Sequence, residues 1–124
     1  MTFFMADASV RVDSEGVLLT FTCPGEPPER GTVIWTTTFI GKGGDGPVRQ
    51  VGWKYLDGKL IAFFSFDHVA ARQQNLPGIP RRAGDLWSAQ FPPSAIAGIG
   101  PGDTWRATVE TEISGAVGID EGIV

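Results

Sequence analysis

With 124 residues, 42% of them hydrophobic and 19% charged, the chain can bury one core, is too short for two, and lacks the composition of a disordered segment. Its formal net charge of −4 opposes nonspecific attraction to a phosphate backbone and disfavours nucleic acid as a partner. Cys23 is the only cysteine, which excludes an intrachain disulfide and a cysteine-based zinc site.

The opening MTFFMADASV has no positive n-region, and its apolar patch is far shorter than a secretion-signal core, so no signal peptide is visible. No apolar run approaches the ~18 residues of a membrane span, so no membrane contact is expected. The expected location is cytoplasmic or within a protein assembly. SVRVDS alternates through Val10 and Val12, SEG supplies a turn, and VLLTFTC puts Val17, Leu19, Phe21 and Cys23 on one face. This predicts a hairpin. After the loop PGEPPERG, TVIWTTTFI sets Val33, Trp35, Thr37 and Phe39 opposite Ile34, Thr36 and Thr38. GKGGDGP then leads into VRQVGWKYL, with Val51, Trp53 and Tyr55 on one side and Gln50, Gly52 and Lys54 on the other.

Asp57-Gly58 predicts a type I′ hairpin turn with both residues at positive φ. The following KLIAFFSF is apolar on both faces, Leu60, Ala62, Phe64 and Phe66 pointing one way and Ile61 and Phe63 the other. The longer set, Leu60, Phe64 and Phe66, is assigned to the core, and Ile61 and Phe63 to a contact that covers the second face. A short helix is expected through HVAARQQNL, capped by Asp67 and closed by Pro77. LWSAQF alternates through Trp87, Ala89 and Phe91. TWRATVETEI turns Trp105, Ala107, Val109 and Ile113 inward and Arg106, Thr108, Glu110 and Glu112 outward. SGAVGIDEGIV reads as a final edge strand or an arm that pairs with a neighbour. Seven or eight strands without βαβ alternation or repeats predict one all-β domain over residues 1–124. Its form is an antiparallel two-sheet sandwich with one short helix, a small closed barrel being the alternative.

SAIAGIGPGDTWRATVE, through Ile99, Pro101, Gly102, Thr104, Trp105, Ala107 and Val109, resembles the approach to a late strand of fibronectin type III and related immunoglobulin-like domains. LLTFTCPGEPPERGTVIWTTTF resembles the early strand, proline loop and next strand of the same architecture. The chain departs from that pattern in having Trp105 where the family usually has Tyr, and in the insert from residue 67 to 85. The resemblance implies a sandwich that serves as scaffold or binder and carries no catalytic residues.

The sequence offers little chemistry. His68 is the only histidine, and a strand that runs as far as Asp67 turns the two side chains to opposite faces; Asp85 is the other carboxylate considered for it. Glu110 and Glu112 share a face with Arg106 and Thr108 and read as solvated sheet. GKGGDG has the wrong order for a phosphate loop, and no metal site or cofactor is expected. Leaving Phe and Ile side chains of the two-faced strand in water forfeits ~1.5–3 kcal/mol each, so the second face calls for a cover. The expected function is therefore a non-enzymatic protein–protein interaction or assembly module, bound to a protein partner or to itself. Ile61 and Phe63, with Phe3, Phe4, Ile123 and Val124 of the apolar ends, form its expected interface. The alternative is a small barrel holding an apolar ligand among Trp35, Trp53, Phe64, Phe66 and Trp87.

Overall fold

A computed structural model describes residues 3–124. Among them are ten strands, β1 (Asp7–Asp13), β2 (Gly16–Thr22), β3 (Thr32–Ile40), β4 (Val48–Leu56), β5 (Lys59–Asp67), β6 (Arg72–Asn75), β7 (Arg81–Ala83), β8 (Leu86–Phe91), β9 (Thr104–Thr111) and β10 (Gly115–Ile123). A single turn of 3-10 helix spans Pro93–Ile96. The strands form two antiparallel sheets, ordered β1-β2-β8-β7 and β10-β9-β3-β4-β5-β6. They pack as a β-sandwich and do not close into a barrel, so the barrel alternative is set aside. The chain makes a hairpin in the smaller sheet, crosses to the larger for the β3–β6 meander, returns for β7 and β8, and crosses back through the 3-10 helix to β9 and β10.

Period-two alternation accounts for the core. Val17, Leu19, Phe21 and Cys23 from the smaller sheet face Val33, Trp35, Thr37 and Phe39 from the larger, and each is 2% exposed or less. Trp35 sits at the centre, its ring 4.8 Å from Trp87 of the opposite sheet, 5.7 Å from Trp53 and 5.6 Å from Tyr55. Phe63 and Phe91 stack across the sandwich at 4.5 Å. The segment before β1 laces the sheets together at one margin: Ala6 N–H donates to Thr22 O, Met5 N–H to Val117 O, and the Phe3 ring meets Trp35 edge-on. At the same margin the Asp120 carboxylate accepts the Ala8 N–H at Oδ2 (3.0 Å) and the Glu121 N–H at Oδ1 (2.9 Å).

The predicted turn is present: Asp57 and Gly58 have φ of 49° and 79°. Asp57 also clasps the preceding loop, its Oδ1 accepting from Gly31 N–H at 2.7 Å and its own N–H donating to Gly31 O.

Three sequence expectations are corrected. The two faces of β5 are reversed beyond its first residues: Phe63 is buried, whereas Phe64 and Phe66 are half-buried on the outer side of the sheet. The cause is a β-bulge. Lys54 pairs with Ala62 but Tyr55 pairs with Leu60, so Ile61 is an extra residue that flips the alternation between Leu60, which packs on the core, and Phe63. Second, the helix expected after Asp67 is a turn and strand β6. Asp67 Oδ1 accepts the Val69 and Ala70 N–H groups, Ala71 adopts φ 52°, and the chain reverses to pair Arg72–Asn75 with Phe64–Asp67. Third, Ile113 is 77% exposed, because β9 ends at Thr111 and the residue belongs to the following turn.

The bulge gives a direct contrast. Phe63→Ala is expected to cost ~3–5 kcal/mol in urea unfolding, and Phe64→Ala only ~1–1.5 kcal/mol. Equal losses would place both rings in one environment and contradict the register. A Cβ at Gly58 meets no atom within 4 Å, so Gly58→Val strains the turn through φ alone. A destabilisation of ~1–2 kcal/mol is expected from the shift in the unfolding midpoint, and an unchanged midpoint would contradict a turn that requires positive φ.

Candidate functional site

The alternation that sends Trp35, Trp53 and Val109 inward turns a broad surface outward on the larger sheet. Its register runs in rows: Thr108, Thr36, Gly52 and Phe64 lie side by side across β9, β3, β4 and β5, and Arg106, Thr38, Gln50 and Phe66 form the next row. The threonines suit the pleat by β-branching, and Thr36 and Thr108 fix each other's hydroxyls at 2.9 Å. A Cβ at Gly52 would lie 2.1 Å from the Trp35 carbonyl oxygen, so no larger residue fits there. The missing side chain leaves its row open between Thr36 and Phe64, beside a hollow of about 410 Å³ lined by Ile34, Thr36, Gln50, Phe64, Phe66, His68, Gln73 and Glu110.

The face is electrically balanced. Lys54, Lys59 and Arg106 stand against Glu110, Glu112 and Glu121, and Arg106 pairs with Glu121 at 3.6 Å. His68 is exposed at the margin with its ring edge-on to Phe66 at 4.7 Å. Asp67 does not serve it. The Ala70 N–H, with the Arg49 guanidinium adding to it at 3.4 Å, holds the Asp67 carboxyl below the usual carboxylate range. His68 therefore lacks an adjacent acid, and among the described residues no group of three His, Cys, Asp or Glu side chains is placed to hold a metal ion.

The expected interface residues do not meet on one surface. Phe3 and Phe63 are in the core, a correction imposed by the Trp35 contact and by the bulge. Val124 packs on the core, its N–H bonded to Asp103 O. Ile61, Phe4 and Ile123 are exposed, Ile61 on β5 and Ile123 on β10, with three strands between them in the sheet. The alternative pocket is divided by the sheet itself, since Trp35, Trp53 and Trp87 are buried inside while Phe64 and Phe66 lie outside. Sequence reasoning missed the role of Gly52 and the threonine rows, although a glycine between outward Gln50 and Lys54 was the available sign.

Cys23 is not a reactive site. Burial pushes its thiol from an ordinary value near 9.0 up to about 11; the neighbouring Trp35 indole opposes this, and the Asp85 carboxylate reinforces it. A raised acid pKa in the folded state means that stability from this group is full below pH 9 and lost as pH rises toward 11. Unfolding midpoints measured across that window should show a loss of roughly 2–3 kcal/mol that Cys23→Ala lacks. Identical pH profiles for both proteins would contradict a desolvated thiol.

No helix among the described residues is long and apolar enough to cross a membrane. No protein-family model, curated protein or solved structure matches the chain.

Proposed function

We propose that the protein is a non-enzymatic interaction or assembly module that engages a protein partner through the outer face of its larger sheet, in the cytoplasm or within a larger assembly. The observation that carries this reading is the position of Phe64 and Phe66. Both stand half-buried on a face over which no strand or helix of the described residues packs. With Ile34 lining the same hollow, burial of the remaining apolar area offers ~1.5–3 kcal/mol for each fully covered side chain. The aromatic and apolar residues are spaced by hydroxyl and amide groups that supply directional contacts, the mixture usual for non-obligate interfaces.

The strand order supports an immunoglobulin-like reading. Variable-type immunoglobulin domains set A-B-E-D against G-F-C-C′-C″, and β1-β2-β8-β7 against β10-β9-β3-β4-β5 follows the same sequence, with β6 as an added edge. Cys23 beside Trp35 is also in keeping with it, a single thiol near the buried third-strand tryptophan where antibody domains carry a disulfide. Sandwiches of this kind place function on surfaces, which favours recognition over catalysis.

Replacing Phe66 with a photo-crosslinking phenylalanine analogue tests the reading in cells that make the protein, with Leu18, on the outer face of the smaller sheet, as the control position. Crosslinks to protein are expected from position 66 and not from position 18. Crosslinks from position 18 alone, or from neither, would overturn the assignment of the binding face.

A further inference from the structure

We infer that the partner seated on this face is a second copy of the chain, packed face to face about a two-fold axis that runs parallel to the strands between β3 and β4. The inference rests on the proposed binding face and adds the identity and orientation of what occupies it.

The sheet order makes the face self-complementary. With six strands in the order β10-β9-β3-β4-β5-β6, the axis sets β3 of one copy over β4 of the other, β9 over β5 and β10 over β6. Rows are preserved by this operation. Thr36 then lies over the open position at Gly52, Ile40 over Val48, and the Arg106 guanidinium over the Phe66 ring, where a cation–π contact is available. Extending the rows by one residue sets Glu112, whose N–H bonds Thr32 O, over Lys59, since Thr32 pairs with Leu56 and Leu56 with Lys59. Each of these contacts occurs twice, as a two-fold interface requires.

Charge and area agree with this occupant. The chain carries −4, yet this face sums to zero, three basic against three acidic side chains, so two copies meet here without net repulsion. Four inter-strand gaps of ~4.8 Å between strands of eight or nine residues at ~3.3 Å per residue, with a shorter strip along the four-residue β6, give a face of roughly 600 Å². Specific protein pairs bury ~600–1,000 Å² on each side. An axis along the strands keeps the strand directions of the two faces aligned, inside the ~30° range of aligned sheet packing.

Sedimentation equilibrium over about 1–200 μM should show a monomer–dimer equilibrium for the natural chain. Glu112→Lys and Lys59→Glu change exposed side chains, so both variants should fold, and each alone should raise the dimer Kd about tenfold by opposing like charges twice. The double variant should return to within about threefold of the natural chain, because the pair is reversed and not removed. Reversals without effect on Kd, or a double variant as weak as the singles, would overturn the face-to-face geometry. A natural chain that stays monomeric while position 66 still crosslinks to another protein would overturn the second copy and leave the binding face standing.

Discussion

Everything else in this sandwich is arranged around the contact of Trp35 with Trp87 across the two sheets, at 4.8 Å. Trp35 is fully buried, and it gathers Trp53 and Tyr55 from the neighbouring strand and Phe3 from the segment before β1. The indole N–H groups of Trp53 and Trp87 have no hydrogen-bond partner, at ~1–3 kcal/mol each for a buried donor left unsatisfied. Aromatic burial of ~150–250 Å² per ring outweighs that cost, which is why this core is specified by shape and area and not by polar bonds.

Because β3 is locked inward by Trp35, its intervening residues are locked outward. Ile34, Thr36, Thr38 and Ile40 have no freedom to change sides, and the pairing of β3 with both β4 and β9 passes that constraint to each neighbour. The outer surface is thus a by-product of core packing, low along its rows of short threonines and open at Gly52 because the backbone of β3 passes too close for a Cβ. The proposed contact uses a surface whose geometry is set from behind, by side chains it never touches. Pre-organisation of this sort lowers the entropic cost of docking.

The class of fold was legible wherever alternation was uninterrupted. β2, β3, β8 and β9 follow their sequence patterns, and the Asp-Gly turn follows from the positive φ that only a few residues tolerate. Reading failed where one residue changed the count. Ile61 is apolar, so the bulge leaves no mark in a hydrophobic pattern, and the β5 phenylalanines after it were assigned to the wrong face. The helix expected after Asp67 failed for a related reason: a side-chain cap looks the same in sequence whether a helix or a tight turn follows, and pairing with the edge of β5 decided between them. The outer face was visible only in part, since Thr36, Gln50 and Gly52 read as ordinary solvated positions until the rows aligned them with Phe64 and Phe66.

The Asp120 carboxylate has a bearing on how far any assembly grows. It points inward from an edge strand and occupies the Glu121 N–H with one oxygen and the Ala8 N–H with the other, while Met5 takes the Val117 carbonyl. Those are groups that an incoming strand would need in order to extend the sheet sideways. The remaining edges are short or charged: β6 and β7 have four and three residues, and β1 carries Asp7, Arg11 and Asp13. Lateral templating is blocked at the margin where the longest edge strand lies. The proposed face-to-face pair, bounded by edges that refuse addition, is a finite particle and not a fibre.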